Sequence, residues 1–180
     1  MNKKLKLSML AIGLGFINFN ASAASTGTIT FVGEVTDTTC DVAVEGGSAD
    51  ATVTMPTVSS SNLANVGDTA GRVAFDITLS SCSSAAQDAY AFFESGANVD
   101  SSTGRLINTG SATNVDLQIL DVANAYTPIK VGNTLQHSDS TATAISGDTA
   151  RLNYAVEYYA NGASTAGDIN SSVTYTISYK

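Results

Sequence analysis

The 180-residue chain has no tryptophan, one histidine, two prolines and two cysteines. Each scarcity closes a route. The single imidazole, His137, lies in a Ser/Asp/Thr-rich stretch that reads as a solvated loop. A Ser–His–Asp triad is formally available to it, yet there is no Gly-x-Ser-x-Gly elbow to present a nucleophile. Phosphate-cradling glycine loops, His-Glu-x-x-His pairs and EF-hand loops are also missing. No catalytic residue and no cofactor are therefore expected. Two thiols and one imidazole cannot fill a tetrahedral metal site without distant carboxylates. Cationic side chains are few, 8 Lys and Arg against 16 Asp and Glu. An acidic surface of this kind argues against nucleic acid and against anionic membrane as partners. Lastly, no apolar run approaches the roughly 20 residues of a membrane-spanning helix.

The longest apolar run has another use. Lys3, Lys4 and Lys6 precede the apolar segment Leu7 to Phe19, and Ala21-Ser22-Ala23 follows it. Positive, apolar and small-x-small regions in that order form a secretory signal peptide, cut after Ala23. Its removal leaves five basic residues, Arg72, Arg105, Lys130, Arg151 and Lys180, against the sixteen acids, a net charge of −11. The remaining length suits one domain with a real core. In an exported chain the pair Cys40 and Cys82 reads as one disulfide.

The body reads as all-β. Ser, Thr, Val, Ala and Gly dominate, and no stretch carries a sustained 3.6-residue apolar period. Strands are predicted over Thr28–Val35, Ala51–Met55, Val73–Leu79, Ala89–Ser95, Val115–Leu120, Leu152–Tyr159 and Val173–Tyr179. The piece Ala85 to Asp88 could make a short helical turn. Turn-rich segments such as Glu45–Asp50, Asn65–Asp68 and Asn161-Gly162 separate the strands. About seven short strands spaced this way indicate an immunoglobulin-like sandwich. Tyr154, Tyr158, Tyr159, Tyr175 and Tyr179 fall in strands, where packing is the default role.

The two ends are unusual. Ile169, Ser171, Val173, Tyr175, Ile177 and Tyr179 alternate with Asn170, Ser172, Thr174, Thr176 and Ser178. That is the pattern of a half-buried strand, and no further strand follows it. Such a strand either closes a finished sheet or waits for a strand from another molecule. At the other end, Ile29, Phe31, Gly33 and Val35 share one face, with a glycine inside an apolar series. Glycine in a strand marks a place where something approaches the backbone closely. One end offers a notched strand and the other an unpartnered one.

With these residues the chain resembles the pilin subunits of chaperone–usher fimbriae of the type 1 and P pilus kind. The resemblance spans the whole mature chain. It rests on Gly33 within Ile29–Val35, on the Cys40 and Cys82 pair, on Gly167, fourteenth from the end, and on the penultimate Tyr179. What it implies is an immunoglobulin-like sandwich lacking its last strand (37–180), preceded by a donor-strand extension (24–36). Ile29, Phe31 and Val35 would plug a neighbour's groove, and Gly33 would match its shallow pocket. Gly167, Ile169, Val173, Tyr175, Ile177 and Tyr179 would line the acceptor groove, with the Lys180 carboxylate held by basic residues of a chaperone. The implied partners are related pilins, a periplasmic chaperone and an outer-membrane usher. The implied location is the cell surface, reached through the periplasm. Adhesin subunits carry a second domain, so the resemblance implies a shaft or adaptor subunit, with the shaft favoured. A soluble exported β-sandwich binding module is the alternative.

Overall fold

The computed structural model describes Thr28, Thr30, residues 39–83 and residues 87–180. All but Thr28 and Thr30 belong to one compact unit, Val35–Lys180. The signal peptide, the strand expected over Thr28–Val35 (apart from those two threonines) and Ala85 and Ala86 of the expected helical turn lie outside the described residues.

Among the described residues ten strands form two antiparallel sheets. They are β1 (Asp41–Val44), β2 (Thr69–Ser80), β3 (Asp88–Phe93), β4 (Val99–Asp100), β5 (Arg105–Ile107), β6 (Val115–Asp121), β7 (Thr127–Pro128), β8 (Thr143–Ala144), β9 (Ala150–Ala160) and β10 (Tyr175–Tyr179). The larger sheet runs β1-β2-β9-β6-β5-β4, with β7 alongside β6; the smaller runs β10-β3-β8. One 3-10 turn (Ser60–Leu63) and one helical turn, α1 (Gln136–Asp139), complete the described elements. The fold is all-β and immunoglobulin-like.

Alternation explains the long strands. In β9, Leu152, Tyr154, Val156, Tyr158 and Ala160 enter the core while Arg151 and Asn153 face solvent. Their neighbours across the ladder do the same, with Ile77 and Leu79 from β2 and Val115, Leu117 and Ile119 from β6. Ala89, Ala91 and Phe93 of β3 close the core from the smaller sheet. On the outer face of the larger sheet the Glu157 carboxylate is buried, and its charge is met by Arg72 Nε at 2.9 Å and Gln118 Nε2 at 2.6 Å. A buried carboxylate demands such partners.

Several expectations need correcting. Ala51–Met55 alternates like a strand but pairs with nothing among the described residues, so it is extended chain without a ladder. The terminal strand begins at Tyr175, because the preceding residues 168–170 bond the loop at 108–112 instead. β3 ends at Phe93, where the Gln136 side chain takes over its edge: Gln136 Oε1 accepts from Phe93 N–H and Gln136 Nε2 donates to Phe93 C=O. Finally, His137 is exposed but not in a loop. It sits on α1, stacked on Phe92 with centroids 4.7 Å apart, its Nδ1 hydrogen-bonded to the Tyr90 hydroxyl at 2.6 Å.

The Cys40–Cys82 bridge is present and joins the residue before β1 to the end of β2. Its closed loop corresponds to about 4 kcal/mol in the chain-entropy account.

Candidate strand-accepting groove

Among the described residues, two sheet edges face each other without a strand between them: there β1 pairs only with β2, and β10 only with β3. In an antiparallel ladder, successive residues direct their N–H and C=O groups to opposite sides. Thr174 and Lys180 bond β3 through their backbone, so the same groups of Tyr175, Ile177 and Tyr179 face the free side. The side chains of these three residues turn inward, and all are half-buried against the core.

The opposite wall can be followed by its contacts. Tyr179 lies at Cys40: burial raises its phenol, and a hydrogen bond from the Cys40 backbone works the other way. Tyr175 donates its hydroxyl to the Ala49 carbonyl at 2.8 Å; burial, then the charge of Asp50, raises that phenol. Farther along, Met55 and Val58 share a cavity of about 400 Å³ with Gly167, Asp168 and Ile169. Residues 40–58 therefore run antiparallel to 167–179 along the full length of a groove. Val42, Val53, Met55 and Val58 contribute half-buried apolar side chains from one wall, and Ile169, Val173, Tyr175, Ile177 and Tyr179 from the other.

The wall over residues 51–58 is held unusually. It makes no backbone–backbone hydrogen bond among the described residues. At its far end the buried Tyr158 of β9 donates its hydroxyl to the Pro56 carbonyl at 3.2 Å. Tyr158 has room because β2 bulges between Ala70 and Val73. There Gly71 adopts φ +65°, and a Cβ would meet the Tyr158 ring at 2.8 Å. A side chain at Gly71 would collide with the phenol that reaches the wall.

Gly167 has an equally local reason. A Cβ there would lie 2.5 Å from the Ala112 backbone nitrogen. Its absence lets Ala112 N–H donate to Asp168 C=O at 3.1 Å and Asp168 N–H donate to Ser111 Oγ at 2.9 Å. This lock ties the end of the groove to the larger sheet. Ser171, between Ile169 and Val173, has a buried hydroxyl with no partner among the described residues.

Of the residues expected to line a groove, Gly167 lies at one end of this wall, and Ile169, Val173, Tyr175, Ile177 and Tyr179 follow along it with half-buried side chains. Lys180 follows on, its N–H bonding Asp88 C=O at 2.9 Å. The expected donor residues Ile29, Phe31, Gly33 and Val35 lie outside the described residues. Sequence reasoning missed the facing wall. Its signal is the alternation of Val53 and Met55, which by itself is also the pattern of an ordinary strand.

Among the described residues no cluster of His, Cys, Asp and Glu could hold a metal ion, and no helix is long and apolar enough to cross a membrane.

Residues 55–180 match the family described as Type-1 fimbrial protein, A. The chain is 48% identical to the major fimbrial subunit SMF-1 of Stenotrophomonas maltophilia over 164 residues, 88% of this chain and 95% of that one. It is 41% identical to the F17 fimbrial protein of Escherichia coli over 89% of this chain and 91% of that one. In fold it is similar to a subunit in the structure of a chaperone–usher pilus, with a TM-score of 0.60, 19% identity, and coverage of 87% of this chain and 96% of that one.

Proposed function

This chain belongs to the type-1 fimbrial protein family, structural subunits of extracellular pili and not enzymes, and on that premise we propose that it joins its neighbours by donating one strand and accepting another. The observation that carries the reading is the pair of apolar walls, residues 40–58 and 167–179, whose facing edges have no strand between them among the described residues. A strand laid between them gains backbone hydrogen bonds to the free side of β10 and buries alternate side chains against Val42, Val53, Ile177 and their neighbours. That is β-augmentation, with affinity from the main chain and specificity from the pockets.

The donor is residues 24–36 of another copy, exposed once the signal peptide 1–23 is removed. Ile29, Phe31 and Val35 enter the groove, and Gly33 passes where a side chain has no room. Donation from one copy to the next never closes on itself, so it builds a fibre. Before assembly a periplasmic chaperone covers the groove with its own strand and binds the Lys180 carboxylate through basic side chains, a charge-assisted contact. The outer-membrane usher exchanges that strand for a donor. Similarity to a major subunit supports a place in the shaft.

The test joins a copy of Ala24–Thr36 to the C-terminus through a short flexible linker. An intramolecular strand acts at an effective concentration of about a millimolar, so the protein should become a soluble monomer with a raised melting temperature. Gly33→Asn in the added copy should lose most of that gain. In the natural extension, Gly33→Asn should stop fibre growth without preventing folding. Fibres of normal length from that variant, or an unmodified mature chain that is already a stable monomer, refute the reading.

A further inference from the structure

We propose that Tyr158 and Tyr175 are positioning residues for strand uptake, pegging the facing wall in place so that the groove exists before a strand arrives. The proposal rests on the strand-accepting reading above and assigns roles that reading does not need.

The wall calls for such a device. A segment bound into a sheet is held by its ladder, but residues 51–58 have no ladder bond among the described residues. Their apolar contacts are partial, since Val53, Met55 and Val58 are half-buried and Ala51, Thr52, Thr54, Pro56 and Thr57 are exposed. Left to these contacts the wall would sample many positions, and an incoming strand would have to order both itself and the wall. The phenols remove the second task. Tyr175 fixes Ala49 at one end of the loose segment and Tyr158 fixes Pro56 near the other, at 2.8 and 3.2 Å. Both pegs stand on laddered strands, β9 and β10, so the rigid body of the protein locates the wall. Each hydroxyl bonds a wall backbone group and leaves the remaining groups of residues 51–58 available to the donor. Preorganisation of this kind acts on the step at which the partner is captured.

The experiment uses the chain carrying Gly33→Asn, whose own extension is a poor donor, and a fluorescent peptide of the natural Ala24–Thr36 sequence. Uptake is followed by anisotropy, and the melting temperature of the filled complex is measured beside it. Tyr→Phe keeps each ring in its packing and removes only the hydroxyl. Tyr158→Phe and Tyr175→Phe should each slow uptake about threefold, and together about tenfold, the range expected for losing one and two hydrogen bonds. Tyr90→Phe loses a hydrogen bond to His137 away from the groove and should leave uptake unchanged. The filled complexes should melt alike, because the inserted strand then holds the wall. If the parent chain takes up no peptide, the strand-accepting reading fails and the pegs with it. If the parent takes up peptide and the phenylalanine variants do so as fast, only the pegs fail. Filled complexes that melt lower in proportion to the slowed uptake would show a general stabilising role and also overturn the proposal.

Discussion

The β2–β9–β6 sheet and the groove walls are both apolar and extended, yet they are held by opposite means. In the sheet, Leu79 and Leu152 are essentially inaccessible and long ladders, interrupted at the β2 bulge, join each strand to its neighbours. Along the groove, Val53, Met55, Ile177 and Tyr179 stay half-buried, residues 51–58 of one wall have no ladder among the described residues, and tyrosine hydroxyls stand in for it. The lesson is a division of labour. Apolar surface that the chain can cover by itself makes stability; apolar surface it leaves half-covered is, in the function proposed above, what takes up a further strand.

The largest expected effect comes from cutting the link between the two regions. Cys40→Ser with Cys82→Ser should lower the unfolding free energy by about 4 kcal/mol, a large share of a single domain's total. Denaturant titration of the strand-complemented protein measures it, and free thiols in the unreduced parent would contradict it. Next comes a direct contrast. Leu79→Ala should cost about 3 kcal/mol with or without a bound strand, as a fully buried leucine does. Ile177→Ala should cost about 1 kcal/mol in the isolated chain and distinctly more in the strand-filled one, because only then is its surface fully removed from water. Equal costs in both states would erase the distinction.

The smallest effect is on pH. The Arg151 hydrogen bond, 2.8 Å long, holds the Asp76 carboxyl below its ordinary value, and Ser102 and Thr103 hold Asp100 down to about 2. A carboxyl depressed in the folded state stabilises the fold above its unfolded value and loses that contribution as pH falls through the folded one. The melting temperature should therefore drop between about pH 4 and pH 2, and Asp100→Asn should flatten that decline without altering strand uptake. An unchanged slope would show that Asp100 contributes nothing. At the alkaline end burial pushes the Tyr154 phenol up to about 12, so stability should fall again as pH rises from 10 toward that value.

Much of this was legible in the sequence, for a definite reason. Alternation is a local signal, and it located the five long strands and the inward face of residues 169–179. The short strands β1, β4, β5, β7 and β8 carry too few residues to show a period, and turns and neighbours fix them. Ala51–Met55 misled because alternation reports which side of an extended chain is apolar, not whether its backbone is paired. The pegs were illegible for a different reason: Tyr175 and Tyr158 meet carbonyls 126 and 102 positions away. Gly167 is visible in the sequence as part of a pattern, but only the 2.5 Å approach of a Cβ to the Ala112 backbone gives its cause.

The bridge at Cys40 also has a mechanical meaning. In a fibre joined as proposed, tension arrives through the extension that precedes Cys40. Without a crosslink, that pull would bear first on β1, whose four residues pair only with β2, and could peel it away one hydrogen bond at a time. The disulfide gives the force a covalent detour into Cys82 at the far end of β2, the long strand beside β9. The pull from the extension is thereby delivered past the β1 ladder and spread into the larger sheet. A subunit under traction would thus keep β1, one edge of the groove, in place beside the strand it has accepted.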